Sequence, residues 1–237
     1  MKKLIFILLC FSLLTFGSSA RIIEVAPAGA WGIIGISGGS AVAEAPSWEI
    51  DNDFSGTYAT DWTTVSGSFS YSSGELLFPN TGTTIYNTDF TNAFQQYAKV
   101  KVVDASEDYM DFYFRVIYAN ETAYKLLIRV STNTVSWFDG DTWGTQQLVE
   151  GPVAFTTNTY VGAEIYGTGT DTEARVWAWA SDPGARANWD TGYTSKTVMT
   201  NNPSHAYNTA VTFGLGSTDN WGTFLLDDLQ AGSAAAP

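Results

Sequence analysis

The stretch Tyr109-Met110-Asp111-Phe112-Tyr113-Phe114-Arg115-Val116-Ile117-Tyr118 sorts into two sets at a spacing of two. Met110, Phe112, Phe114, Val116 and Tyr118 are all apolar or aromatic. Tyr109, Asp111, Tyr113, Arg115 and Ile117 are mixed. Successive side chains of a β-strand point to opposite faces of the sheet. The first set is therefore expected in an inter-sheet core, and the second on a face that water or a ligand reaches. Tyr124–Val130 divides alike, with Tyr124, Leu126, Ile128 and Val130 against Lys125, Leu127 and Arg129. In Thr172–Ala180 the sets are Ala174, Val176, Ala178 and Glu173, Arg175, Trp177, Trp179. One arginine and two tryptophans on one face, with small residues on the other, is an unusual division for a plain core strand.

Outward from these runs the same pattern continues. Short strand-like segments follow one another from Trp48 to Gly232, separated by turn signals such as Ser72-Ser73-Gly74, Asn80-Thr81-Gly82, Asp139-Gly140 and Gly167-Thr168-Gly169. Helical periodicity is almost absent, and no period of 20 to 50 residues repeats. Evenly spaced strands with Gly, Asn and Asp turns predict an all-β fold, a two-sheet antiparallel jelly-roll sandwich over residues 48–232 with a tail at 233–237.

Composition narrows the function. The chain has 237 residues, 45% hydrophobic and 15% charged, and a formal charge of −13. That hydrophobic content excludes wholesale disorder. Eleven basic against 24 acidic side chains exclude a generic phosphate-backbone binder, whose affinity needs a basic patch. One histidine and one cysteine remove most zinc sites and the usual Ser-His and Cys-His chemistries.

Lys2 and Lys3, the apolar run Leu4–Phe16, and Ser18-Ser19-Ala20 have the form of a secretory signal peptide, residues 1–20. The run is too short to span a bilayer, so no membrane span is expected after cleavage. Removing Met1–Ala20 takes two lysines, no acid and the single cysteine, leaving nine basic against 24 acidic side chains and a charge of −15. Residues 21–47 are rich in Gly and Ala but carry Trp31, Ile33, Ile34 and Ile36. They read either as a flexible linker or as an arm that adds a strand to another sheet and drives self-association.

Three segments resemble the concanavalin A-like lectin/glucanase superfamily in its laminin-G-like secreted form. Asp51-Asn52-Asp53-Phe54-Ser55-Gly56 with Trp62 is similar to the opening of such domains. Phe112-Tyr113-Phe114-Arg115-Val116 followed by Ala123-Tyr124-Lys125-Leu126 is similar to a central strand pair. Arg175-Val176-Trp177, Asp182-Pro183, Trp189, Phe213-Gly214-Leu215 and Phe224–Leu229 are similar to the closing part. The resemblance covers residues 49 to 231 and implies a jelly roll with one concave face. It spans sugar-binding modules, glycosidases, lyases and adhesive domains, so it does not select among them.

Three chemistries follow. Sugar binding needs aromatic faces and polar side chains, which Tyr113, Arg115, Lys125, Arg129, Arg175, Trp177 and Trp179 supply if they share one face; buried, they are core and paired charge instead. Trp137, Trp143 and Trp221 stand beside turns and are alternative rim residues. Asp51 and Asp53 near the start, with Asp227 and Asp228 near the end, are candidates for a structural Ca²⁺, which takes six to eight oxygens. Glu107, Asp108 and Asp111 form a second acidic knot, expected as a solvated turn. Catalysis finds less. The resemblance implies an E-x-D-x-x-E or E-x-D-x-E strand motif for a glucanase, which is missing, and a Tyr-His pair for a lyase, for which only His205 exists. Glu164 and Glu173 are the remaining carboxylate pair. The leading reading is a secreted, non-catalytic lectin-like domain for a polysaccharide or cell-surface glycan. An extracellular structural or adhesive subunit is the alternative, and a glycoside hydrolase or polysaccharide lyase stands third.

Overall fold

Alternating apolar residues fold into fifteen strands among the described residues. The computed structural model describes residues 48–54, 61–78, 82–105, 109–117, 119, 122–140, 146–154, 156–169, 171–201, 203, 211–217 and 224–237. The strands are β1 Trp48–Asn52, β2 Trp62–Gly67, β3 Ser70–Ser72, β4 Glu75–Phe78, β5 Gly82–Tyr86, β6 Gln95–Ala105, β7 Tyr109–Ile117 and β8 Thr122–Arg129. They continue as β9 Thr134–Asp139, β10 Gln146–Pro152, β11 Thr159–Tyr166, β12 Thr172–Trp179, β13 Ser195–Asn201, β14 Thr212–Ser217 and β15 Phe224–Ala234. The expected signal peptide at 1–20, the expected linker or arm at 21–47, Glu107, Asp108, Trp143, Trp221 and His205 lie outside the described residues. Among the described residues no helix is long and apolar enough to cross a membrane.

The strands make two antiparallel sheets. The eight-stranded sheet runs β13-β12-β11-β6-β15-β4-β3, with β1 also paired to β15. The seven-stranded sheet runs β10-β9-β8-β7-β14-β5-β2. First and last strands meet, as Asp51 faces Gln230 and Asn52 faces Leu229. Between the sheets lies one core, built from Val100, Val102, Ala163, Ile165 and Val176 on one side and Phe112, Leu126, Ile128, Trp137 and Leu215 on the other. Trp137 is thus a core residue rather than a rim residue, fully buried at 5.8 Å from the ring of Tyr124. The closing strand extends beyond its expected end, since Ser233 and Ala234 pair with Gln96 and Gln95.

One alternation breaks. Met110, Phe112 and Phe114 enter the core as the spacing predicts. Arg115 then takes φ +52, and the register against β8 shifts before Ile117. A bulge adds one residue to one strand, so parity inverts beyond it. Val116, expected inside, packs with Ile85, Tyr113 and Ala123 outside the main core, and Ile117 packs against it. Arg115, expected on the ligand-facing side, is buried and reaches the other sheet. Its Nη2 donates to the carbonyls of Gly167 and of Phe94, the latter at 3.2 Å. Burial lowers its pKa to about 10. Tyr118 lies outside the described residues.

Candidate functional site

The seven candidate ligand residues do not share a face. Arg175, Trp177 and Trp179 belong to β12 in the eight-stranded sheet, whereas Tyr113, Arg115, Lys125 and Arg129 belong to β7 and β8 in the other. On β12 the small residues Ala174, Val176 and Ala178 pack into the core. Trp177 and Trp179 point outward, yet they are 0% and 2% exposed. The cause is Trp189, carried by a 3-10 turn at Arg186–Asn188 and laid across both rings at centroid distances of 5.4 and 5.3 Å. Gly162 on β11 makes room, because a Cβ there would stand 2.7 Å from the Trp179 ring. With Tyr97 these rings form a second core on the outside of the sheet. Burial, then the charge of Glu49, raises the Tyr97 pKa. Of the two readings of Trp177 and Trp179, ligand platform or core, the core one matches the burial: the ring faces a sugar would need are spent on one another.

The charged groups on this face are paired, although the Trp179 Nε1 and the Arg186 Nε find no acceptor among the described residues. Glu164 is fully buried, accepts from Gln95 and Arg186, and lies 3.6 Å from Arg175. Arg175 also holds Glu173 at 2.5 Å. Both glutamates weighed for catalysis are bound to arginines: Glu164 is fully buried, whereas Glu173 also lines an open cavity of about 320 Å³ with Asp171, Thr172, Thr200 and Asn201.

The four aspartates proposed as calcium ligands do not converge as one set. Asp51, Asp53 and Asp228 line a small cavity of about 150 Å³ together with Asp182 and Lys99. Asp227 turns to Lys101 at 3.2 Å. The bulge at Asp228, φ +48, separates the two acids, and Asp227 accepts the Asp228 N–H at 2.8 Å. Protein donors already serve the cavity oxygens: Lys99 ion-pairs with Asp182, Tyr160 donates to Asp228 at 2.8 Å, and Gln230 donates to Asp51 at 2.9 Å. Among the described residues no group of three acidic or other ligating side chains could hold a metal ion. A buried ammonium supplies the positive charge, so these residues do not fit a calcium ion.

The outer face of the seven-stranded sheet is different. Core packing of Tyr124, Leu126, Ile128, Val135 and Trp137 leaves Lys125, Leu127, Arg129, Ser136 and Phe138 on the other side. Strand register lines them up in rows. One row reads Gln147, Phe138, Lys125, Tyr113, Gly214. The next reads Glu150, Ser136, Leu127, Asp111, Gly216. A third reads Thr134, Arg129, Tyr109. Lys125 lies 4.7 Å over the Phe138 ring and Arg129 4.7 Å over the Tyr109 ring. These four side chains are partly exposed. Beside them Tyr113 and Asp111 are buried, the Tyr113 hydroxyl donating to Asp111 at 3.2 Å. Burial, then the neighbouring Asp111 charge, holds the Tyr113 pKa well above its ordinary value. Asp111 is therefore no part of a solvated turn. Glycine at 216 makes a trough for that ring, since a Cβ there would stand 2.9 Å from it.

Sequence reading named Lys125, Arg129 and Tyr113 as site residues but missed Tyr109 and Phe138. The signal was present in Val135 and Trp137, whose inward alternation sends Phe138 outward. Within the second row Asp111 and Glu150 stand three strands apart, about 14 Å between backbones.

No protein-family model matches the chain, and no curated protein matches it in sequence. Solved structures do match. The apo Crh5 transglycosylase aligns at TM-score 0.52 and 12% identity, over 82% of this chain and 88% of that one. The Bacillus licheniformis beta-glucanase aligns at 0.50 and 9%, over 78% and 98%. The fold is that of the concanavalin A-like lectins and glucanases. The carbohydrate-binding module CBM66 from Bacillus subtilis is also among the neighbours, at 0.49 and 12% over 73% and 96%. Identities this low convey the concanavalin A-like fold alone, and that fold hosts enzymes and binding modules alike.

Proposed function

We propose that the chain is a secreted, non-catalytic carbohydrate-binding protein that takes its ligand on the outer face of the seven-stranded sheet. The observation that carries this reading is the juxtaposition of Tyr109, Phe138, Lys125 and Arg129, partly exposed and aligned in neighbouring rows. Aromatic rings offer apolar faces to sugar C–H groups, and the cations and Gln147 offer hydrogen-bond donors to hydroxyls. The site sits on strands rather than loops, which holds such a constellation rigid. The signal peptide read at Met1–Ala20 supplies the export step. The test is binding of the purified protein to a panel of polysaccharides and a glycan array. Binding that falls about tenfold or more in Phe138→Ala and Tyr109→Ala is the expected result. No bound glycan, or binding unaltered in both variants, overturns the reading.

A further inference from the structure

Eight lysines and arginines are described, in a chain whose acidic side chains outnumber basic ones 24 to 11. Five of them ion-pair with carboxylates: Lys99, Lys101, Arg175, Arg186 and Lys196. Arg115 is buried and donates to two backbone carbonyls. Lys125 and Arg129 alone among the described cations have neither. Both lie on the face assigned above to carbohydrate, each over an aromatic ring at 4.7 Å. The Arg129 Nε is buried with no acceptor among the described residues. In so acidic a chain, two partly exposed cations on one face with no carboxylate partner among the described residues are unusual, because the other exposed or half-exposed described cations are all ion-paired.

We infer, resting on the carbohydrate-binding reading, that the ligand is an acidic glycan whose carboxylate or sulfate groups are met by Lys125 and Arg129. The two side chains leave the same strand four residues apart, about 13 Å along it. They suit an anion on each of two separated sugars rather than one dense phosphate cluster. The guanidinium of Arg129 offers a planar fork to a carboxylate or sulfate, and Lys125 is a point charge. The acids on the same face are engaged: Asp111 is buried under the Tyr113 hydroxyl, and Glu150 accepts from Ser136 at 2.9 Å on the edge strand. The overall negative charge does not forbid the encounter, because fields from exposed charges fade over about 8 Å at physiological ionic strength. Two isolated cations are too few for a nucleic acid, whose affinity grows with the number of phosphates neutralised.

The test compares matched polymers in affinity electrophoresis. Polygalacturonate is set against its methyl ester for carboxylate, and dextran sulfate against dextran for sulfate. The expected result is a preference of about tenfold or more for one acidic member over its neutral partner, reduced by added salt. The double variant Lys125→Gln, Arg129→Gln removes that preference, while Arg129→Lys keeps most of it. An unchanged unfolding midpoint in the double variant separates lost charge from lost fold. Equal binding of neutral and acidic partners overturns the charge inference and leaves carbohydrate binding standing. Binding of none of the four overturns the charge inference, and the broader glycan panel then decides the reading beneath it. A preference that survives the double variant, or equal affinity for single-stranded DNA, also overturns the inference.

Discussion

Replacing Trp189 by alanine tests whether the tryptophan cluster on the eight-stranded sheet is core or binding platform. Trp189 is fully buried and meets four rings, those of Trp48 at 6.2 Å, Tyr97 at 6.0 Å, Trp177 at 5.4 Å and Trp179 at 5.3 Å. Its removal opens a cavity over Trp177 and Trp179 that backbone carried on a 3-10 turn can only partly close. A buried tryptophan cut to alanine costs about 3–5 kcal/mol. For a chain of this length each kcal/mol lowers Tm by about 2–4 °C, so the variant should melt roughly 6–20 °C lower. Calorimetry on both proteins reads the shift, and near-ultraviolet circular dichroism reads the loss of coupled indoles. Glycan binding by the folded variant should match the parent. A fall below about 3 °C would show that the cluster contributes little packing. Loss of binding with the fold intact would place the ligand on this sheet and refute the assignment to the other.

Three further outcomes are expected. Glu164→Gln leaves Arg186 and Arg175 beside an uncharged amide in a fully buried position, and should destabilise by about 3 kcal/mol or more in urea titration; an unaltered midpoint would show that the arginines do not depend on it. Gly216→Ala places a methyl 2.8 Å from the Gly82 carbonyl and 2.9 Å from the Tyr113 ring, so a loss of about 1–3 kcal/mol is expected, and a neutral effect would contradict that close approach. Burial is the first cause raising the pKa of Tyr97, Tyr113 and Tyr160, with the hydrogen bond to Asp228 reinforcing it at Tyr160. A raised folded pKa contributes stability that is present below the ordinary tyrosine value of 10.0 and is lost as pH climbs through the folded values. Arg115, lowered to about 10, acts in the opposite sense, because the unfolded chain holds that proton more tightly above pH 10. Four tyrosines with raised values, Tyr86 being the fourth, against one lowered arginine give net destabilisation in alkali. Tyrosinate absorbance should therefore lag behind that of twelve free tyrosines until the chain unfolds, and a smooth titration of all twelve near 10 would refute this.

The sandwich was legible because period-two alternation is a local property. It held on β8, on β12 and on the first half of β7, and the pairing of the first strand with the last followed the order of the chain. Three things were not local. Alternation says which side chains share a face of one strand, but not which sheet the strand joins, so β7 and β12 were merged into one site. It says nothing about what covers a face; Trp189, beyond the end of β12, converts two outward tryptophans into a second core. And the bulge at Arg115 carries no glycine to announce it, so a non-glycine residue at φ +52 inverted the end of β7 without a sequence signal. The acids at the two ends did approach one another, but Lys99, which alternation on β6 sends to the same side, was not weighed as their partner.

The two outer faces use the same ingredients to opposite ends. On the eight-stranded sheet, aromatic rings stack on one another and arginines are absorbed by Glu164 and Glu173, so both kinds of group are consumed internally. On the seven-stranded sheet each partly exposed cation is held by a ring and ion-pairs with no acid among the described residues. A cation over an aromatic face gains about 0.5–1 kcal/mol at an exposed site, enough to order the side chain but too little to neutralise it. Its charge therefore remains available to a ligand, whereas a charge already paired to a carboxylate must first break that pair. This difference in prior commitment, more than the count of aromatics or basic residues, is why the binding site is assigned to the face with fewer tryptophans.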